Sequence, residues 1–318
     1  MYDVTATGEL LIDFTRNGLS EQNNRIYEAN PGGAPCNVLA MLGKLGYKTT
    51  FIGKVGEDEF GKLLKNTITE QNIDAAGLVL DPNAKTTLAF VDNDETGDRS
   101  FSFYRKPGAD MMLREDEVNY ELIDNCRIFH FGSLSMTDEP VRSATYAMID
   151  YAKKKNKIIS FDPNLRPPLW ESEELAAKQI WYGVEQCDIL KIADNEIEWL
   201  TGTDDYDKGI EIIRQRTHAK LINVTLGPNG SIAYYGDHKV FMEPYLNENT
   251  IETTGAGDTF GACALHAVLK NGLDNMTEEE LREMLQFANA AASLVTTKKG
   301  ALRVMPEEKE IIELMNKN

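Results

Sequence analysis

Runs of residues that are apolar on both faces recur along this chain, and each is followed by a run with a one-sided apolar stripe. Strand-like stretches at 49–56 (TTFIGKVG), 127–133 (RIFHFGS), 157–164 (KIISFDPN), 188–193 (DILKIA) and 219–227 (AKLINVTLG) alternate with helix-like stretches at 57–72, 139–156, 172–187 and 194–200. A strand without a polar face must be covered on both sides, so this alternation predicts an α/β fold with a mostly parallel sheet between helices. The N-terminal MYDVTATGELLIDF reads as a first strand and not as a leader, because no basic region precedes it and Thr5 and Thr7 interrupt it. Two stretches break the rhythm. Residues 14–30 are polar without a helical stripe, and 86–104 (TTLAFVDNDETGDRSFSFY) read as two strands about a polar turn. They predict a small β-layer projecting from the main sheet, and 231–241 predicts a further hairpin. No repeat, low-complexity tract or linker interrupts the chain, so residues 1–318 read as a single domain carrying a small lid.

Composition narrows the partners. The chain has 318 residues, 42% of them apolar, which suffices for a packed core. Its 33 basic and 51 acidic residues give a net charge of −18, which argues against nucleic acid and anionic membranes as partners. It leaves an anionic substrate open, because a small site can be locally positive. No apolar run approaches the roughly 18 residues that a bilayer demands. Cys36, Cys126, Cys187 and Cys263 are widely spaced without a C-x-x-C, and the four histidines form no H-E-x-x-H. Structural zinc and a disulfide framework are therefore disfavoured, and a reducing cytoplasm is expected.

Three motif-like segments fail on inspection. Gly56-x4-Gly61-Lys62 is followed by Leu63 where a magnesium-binding hydroxyl is needed. Asp92-x-Asp94-x-Thr96-Gly97 has Phe103 in place of the closing Glu of a calcium loop. Gly255-x-Gly257 lacks the third glycine of a dinucleotide fingerprint. The first reads better as a strand-to-helix turn and the second as a hairpin.

Chemistry concentrates in two segments. Glu252-Thr253-Thr254-Gly255-Ala256-Gly257-Asp258-Thr259 precedes a helical run at 260–272. Small residues at Gly255, Ala256 and Gly257 let backbone N–H groups face one point, an anion hole reinforced by the helix dipole. The dipole is expected to lower the pKa of Asp258, leaving a carboxylate beside the hole. That pairing suits phosphoryl transfer to an alcohol, with the aspartate accepting the hydroxyl proton. An N-cap acid in an ordinary glycine turn would show the same residues. The second segment, Asn30-Pro31-Gly32-Gly33-Ala34-Pro35-Cys36-Asn37, precedes a helix at 38–46. Its glycines admit a ligand close to the backbone, and Asn37 can donate to and accept from hydroxyls. Asp13, at the end of the first strand, suits a pair of neighbouring hydroxyls. These are tools for a polyol, although each alone also serves turn and cap chemistry.

Together these segments resemble the two signatures of the ribokinase-like (PfkB) carbohydrate kinases: GGAPCNVLAMLGKLGYKTTFIGKVGEDEFG at 32–61 and TTGAGDTFGACAL at 253–265. The likeness runs over nearly the whole chain. Within the family, GELLIDF (8–14), FYRKPGADMML (103–113), IFHFGSLS (128–135), SFDPNLRPPLW (160–170) and LKIADNEIEWLTG (190–202) are most similar to fructokinases. The resemblance implies a ribokinase-like three-layer αβα sandwich with a β-lid at about 14–30 and 86–104. It implies ATP-dependent phosphorylation of fructose at its 6-hydroxyl. A 2-keto-3-deoxygluconate kinase is the alternative, and a catalytically silent sugar sensor a more distant one.

By the same resemblance Asp258 is the general base and Gly255, Ala256 and Gly257 form the anion hole. Asp13, Gly32, Gly33 and Asn37 hold the sugar, Arg105 and Arg166 reach in toward it, and Asp162 braces Arg166 or another polar group. Asn195 and Glu198, as an N-x-x-E pair, place the magnesium–phosphate unit through water. Thr225, Gly227 and Gly230 line the nucleotide, and Asn289 lies near the adenine. Glu252 and Thr254 correspond to a monovalent-cation site at which potassium binds in many members. The family usually has Asp where this chain has Glu252, so the cation's geometry is the point of departure. The implied partners are a small sugar, ATP with Mg2+, and a second copy docked through the lid.

Overall fold

A computed structural model describes residues 1–93 and 99–317. Its strands are β1 (Val4–Thr7), β2 (Leu11–Leu19), β3 (Arg25–Gly32), β4 (Thr49–Gly56), β5 (Ile73–Asp81), β6 (Leu88–Asn93), β7 (Arg99–Tyr104), β8 (Ile128–Gly132), β9 (Ile158–Asp162), β10 (Ile189–Ala193), β11 (Leu221–Thr225), β12 (Ser231–Tyr235) and β13 (His238–Met242). Its helices are α1 (Ala34–Lys44), α2 (Glu59–Glu70), α3 (Glu121–Asp124), α4 (Val141–Lys154), α5 (Glu173–Gln186), α6 (Asp194–Thr201), α7 (Tyr206–Arg214), α8 (Ala256–Asn271), α9 (Glu278–Val295) and α10 (Glu308–Met315).

Nine strands form the main sheet in the order β13-β12-β11-β10-β9-β8-β1-β4-β5, parallel except for the β12–β13 hairpin at one edge. The expected hairpin at 231–241 is thus this antiparallel edge. Successive strand residues feed opposite cores, as the pleat requires. Ile189 and Leu221 pack with α1, α8 and α9, whereas Leu190, Ile192, Ile222 and Val224 pack with α4, α5, α6 and α7. Both faces are therefore buried, as the unbroken apolar strands require. The four cysteines are free and buried. Gly56 and Gly61 bracket a strand-to-helix turn in which Asp58 caps α2 by accepting from the Gly61 N–H at 2.9 Å. The turn of the 86–104 hairpin, and with it the calcium-loop look-alike, falls largely on 94–98, outside the described residues.

The N-terminal stretch is not one strand. It breaks at Gly8, which adopts φ 152, so β1 lies in the main sheet and β2 in the lid. Asp13 consequently stands in the lid and not at the end of the first strand. The lid is the four-stranded sheet β3-β2-β6-β7, and it extends past the expected bounds to Leu11 and Gly32. A stacked Phe14–Phe90 pair, with Tyr27 edge-on to Phe90, holds its centre.

Both signature helices begin one turn earlier than the sequence suggests. Pro35 sits in the first turn of α1, where its missing N–H costs nothing. Gly255 caps α8 in the left-handed conformation at φ 78. Asn37 and Asp258 thereby become first-turn residues of their helices. Gly33 caps α1 at φ 135, and a Cβ there would lie 2.3 Å from the Glu9 carbonyl oxygen. Gly46 has φ +84 but open space around it. Gly33→Ala should therefore cost about 3 kcal/mol, combining backbone strain with a forced shift of the β1–β2 connection, and Gly46→Ala only about 1 kcal/mol. Urea unfolding of both variants checks this; equal losses would contradict the close contact.

Candidate active site

The lid, the ends of β9 and β10, and the first turns of α1 and α8 enclose a cavity of about 280 Å³. Its position outside the carboxyl ends of parallel strands is where open α/β sheets bind ligands. Asp258 lines it and is only 8% exposed. The Asn37 amide donates to Asp258 Oδ2 at 2.7 Å, joining α1 to α8. The other end of that amide, Asn37 Oδ1, is buried with no partner among the described residues, so a ligand hydroxyl would satisfy it. Burial raises the Asp258 pKa despite the opposing pull of the Asn37 hydrogen bond, Lys191 and Arg166. The downward shift expected from the helix dipole is therefore corrected: desolvation outweighs it.

Ala256 donates its N–H to the Thr253 carbonyl at 3.2 Å. The next two N–H groups of the turn, on Gly257 and Asp258, make no hydrogen bond among the described residues and are open to an anion. Thr254, Gly255 and Gly257 line the cavity.

On the lid side, Asp13 faces Gly32, where a Cβ would come within 2.6 Å of its Oδ2. Desolvation pushes the Asp13 carboxyl up to about 7, with Arg166 opposing and Glu252 and Asp258 adding to the rise. Arg166 lines the cavity from an exposed turn and donates to the Leu165 carbonyl at 3.0 Å. Lys191, on β10, lines the opposite wall and pairs with Asp162 at 3.1 Å. Glu9 also lines the cavity, accepting from the Ala34 N–H at 2.7 Å and so capping α1 where Gly33 has no side chain. Burial pushes Glu9 up to about 7.

The pfkB family carbohydrate kinase model matches residues 1–308. The chain is 41% identical to a probable fructokinase-2 of Arabidopsis thaliana, over 98% of this chain and 95% of the relative. Among solved structures, a fructokinase with bound ATP from Xylella fastidiosa aligns with a TM-score of 0.91 at 30% identity, covering 100% of this chain and 99% of the other. A fructokinase double mutant from Vibrio cholerae O395, with fructose, ADP and potassium bound, aligns with a TM-score of 0.88 at 29% identity, covering 99% and 98%. The chain belongs to the pfkB family of carbohydrate kinases.

Several of the expected site residues of this kinase lie outside this cavity. Arg105 does not line the cavity. It is buried, with Nε donating to Asp110 at 2.7 Å, Nη1 to Thr137 at 3.0 Å and Nη2 to the Leu134 carbonyl at 2.8 Å, so it braces the base of the lid. Asp162 braces Lys191, a polar group of the cavity wall as the expectation allowed, and not Arg166. Asn195 and Glu198 are both exposed and outside the cavity, whereas Glu196 is the buried acid of that turn, accepting from the Leu165 N–H at 2.7 Å and the Ala193 N–H at 2.9 Å.

Asn289 donates to the Met242 and Glu243 carbonyls at 3.3 and 2.9 Å and accepts from Ser231 at 2.8 Å. Both donations join α9 to the end of β13 and the residue after it. Thr225 ends β11, and Gly227 and Gly230, at φ 55 and 98, belong to the turn that follows; none of the three lines this cavity. Glu252 reaches across to accept from the Gly300 N–H at 2.7 Å, so one of its carboxylate oxygens ties two loops together.

Sequence reasoning passed over Glu9, Lys191 and Glu196. The available signal was a charge inside an otherwise buried segment, as in ILKIA, since such charges persist only when paired.

The Asp13 environment has a consequence for stability. Its folded pKa of about 7 exceeds the unfolded value of about 3.9, so the ionised group opposes folding above that value. Asp13→Asn should match the wild type near pH ~4 and become more stable than it as pH rises toward ~7, an advantage measured by thermal unfolding of the ligand-free chain. An advantage that does not change with pH would contradict the buried-acid assignment.

Proposed function

We propose that this kinase is an ATP-dependent fructokinase that transfers the γ-phosphoryl group to the 6-hydroxyl of D-fructose. The observation that carries the reading is the buried Asn37–Asp258 pair, with one oxygen of Asn37 free, at the mouth of an open helix N-terminus. Asp13 and Asn37 take hydroxyls of the sugar, and the Gly32–Gly33 backbone lets it lie close. Asp258 accepts the proton of the attacking hydroxyl as the new oxygen–phosphorus bond forms and ADP leaves with the electrons of the broken one. The open N–H groups of the first α8 turn hold the phosphoryl oxygens. Asp13, Thr15, Val91 and Phe103 of the lid already line the cavity, and closure of the lid excludes water that would compete as acceptor.

Magnesium fits this site as a companion of the nucleotide: no cluster of three metal-binding side chains is present among the described residues, and magnesium is commonly held by substrate phosphates with one or two carboxylates. When bound, it neutralises charge on the β- and γ-phosphates. Glu252 and Thr254 offer the oxygen donors that suit potassium, although one Glu252 oxygen is spent on Gly300.

Fructose is favoured over a sugar acid because Arg105 is committed to Asp110, Thr137 and Leu134, so a two-arginine grip on a carboxylate lacks one arm. The reading extends to a single catalytic unit working in the cytoplasm as a homodimer docked through the lid. Exposed Leu19, Ile26 and Tyr104 on that sheet and four buried free thiols support it.

ADP release with magnesium and ATP, compared across fructose, 2-keto-3-deoxygluconate and ribose, tests the substrate; a preference for the sugar acid would replace fructose. Asp258→Asn should lower kcat by about 10³-fold or more while leaving the fructose Kd within a few fold, through loss of a base and its charge. Near-normal turnover would remove Asp258 from this role.

A further inference from the structure

Lys191 is a buried cation in the cavity wall for which the proton transfer to Asp258 has no use. It is 9% exposed and sits on β10 beside the first turn of α8. A Cβ on Gly257 would lie 2.9 Å from its Nζ, so the ammonium reaches that turn only because position 257 carries no side chain. Its partner is Asp162, at 3.1 Å to one carboxylate oxygen and 3.3 Å to the other. Among the described residues it donates to nothing else. Burial alone would lower the ammonium pKa, but Asp162, Glu196 and Asp258 together hold it above its ordinary value. A lysine ammonium has three donors, so this one faces the cavity charged, fixed from behind and not fully used.

The other charges lining the cavity make the position telling. Glu9, Asp13, Glu252 and Asp258 are carboxylates, and among the described residues the only cations in the lining are Lys191 and Arg166. Arg166 is exposed. A phosphoryl group approaching the first turn of α8 meets Lys191 as the one buried, held positive charge.

We propose that Lys191 is a catalytic residue whose ammonium grips the γ-phosphoryl group as it passes from ATP to the sugar. This rests on the phosphoryl-transfer reading of the site. In the step, the sugar oxygen bonds to phosphorus, the bond from phosphorus to the β–γ bridging oxygen breaks, ADP keeps that electron pair, and the hydroxyl proton goes to Asp258. Lys191 keeps its own proton throughout and acts by charge and hydrogen bonding, with Asp162 as its positioning residue.

The test compares wild type and Lys191→Met for binding of ADP and of the non-hydrolysable β,γ-imido analogue of ATP, both with magnesium, by calorimetry. Losing one charge-assisted hydrogen bond to the γ-phosphate should weaken the analogue about tenfold more than ADP. With fructose as acceptor, kcat should fall by about 10²–10³-fold. Equal weakening of both nucleotides, or a kcat within threefold of wild type, would overturn the proposal. If Lys191→Met does not fold, Lys191→Gln, which can still donate to Asp162, carries the same two outcomes. The nucleotide comparison contains no sugar, so it stands apart from the choice of fructose; a wild type inactive on every sugar would count against the fructose reading instead.

Discussion

The 2.7 Å hydrogen bond from Asn37 to Asp258 joins the first turns of two helices whose bonded residues lie 221 positions apart in sequence. Most of the local structure around the cavity serves to make that contact. Gly33 lets the chain turn into α1 against the Glu9 carbonyl, and Glu9 caps the helix start from the other side. Gly255 turns the chain into α8 in a left-handed conformation. With both helices begun at these residues, one amide and one carboxylate meet where both side chains are largely buried. The amide's oxygen has no partner among the described residues.

The electrostatics follow from that placement. A carboxylate removed from water is less readily ionised, and Glu9, Asp13 and Asp258 all show it. The Asn37 hydrogen bond and the charges of Lys191 and Arg166 work in the opposite direction on Asp258. A base with a raised pKa is a better proton acceptor once ionised, so moderate desolvation helps the reaction as long as the site remains ionised at working pH. An acid-lined cavity in a chain of net charge −18 must also admit a triphosphate. In the proposed mechanism, the unbonded N–H groups of the first α8 turn and the buried Lys191 would meet that demand locally, whatever the overall charge of the chain.

Much of this was legible in the sequence. Apolar strands alternating with striped helices gave the main sheet and its two covering layers, and the glycine-rich segments marked both helix starts that build the site. What was missed depended on solvent exposure and on partners distant in sequence. The chain breaks at Gly8, at φ 152, where a Cβ would lie 2.5 Å from the Pro35 ring, so the position depends on a residue distant in sequence. Glu196 and Glu198 lie two apart on one short helix, and only burial separates the inward acid from the outward one. Arg105 and Asn289 carry the right chemistry for a ligand, yet they satisfy neighbouring protein groups that no local pattern reveals. The helix dipole at Asp258 was a sound local expectation, overridden by desolvation that only the assembled fold imposes.

The central claim is that a buried Asp258 accepts a proton while Asn37 holds it in its charged form. The pH dependence of kcat/KM for wild type and Asn37→Leu tests it most directly. The wild type should lose activity on the acid side above the ordinary carboxylate range, because burial raises the group that must be ionised. Removing the Asn37 donor should move that acid limb to still higher pH, since the bond favours the charged form. An acid limb that stays in place in Asn37→Leu, or one lying at the pKa of a solvent-exposed aspartate, would contradict the account.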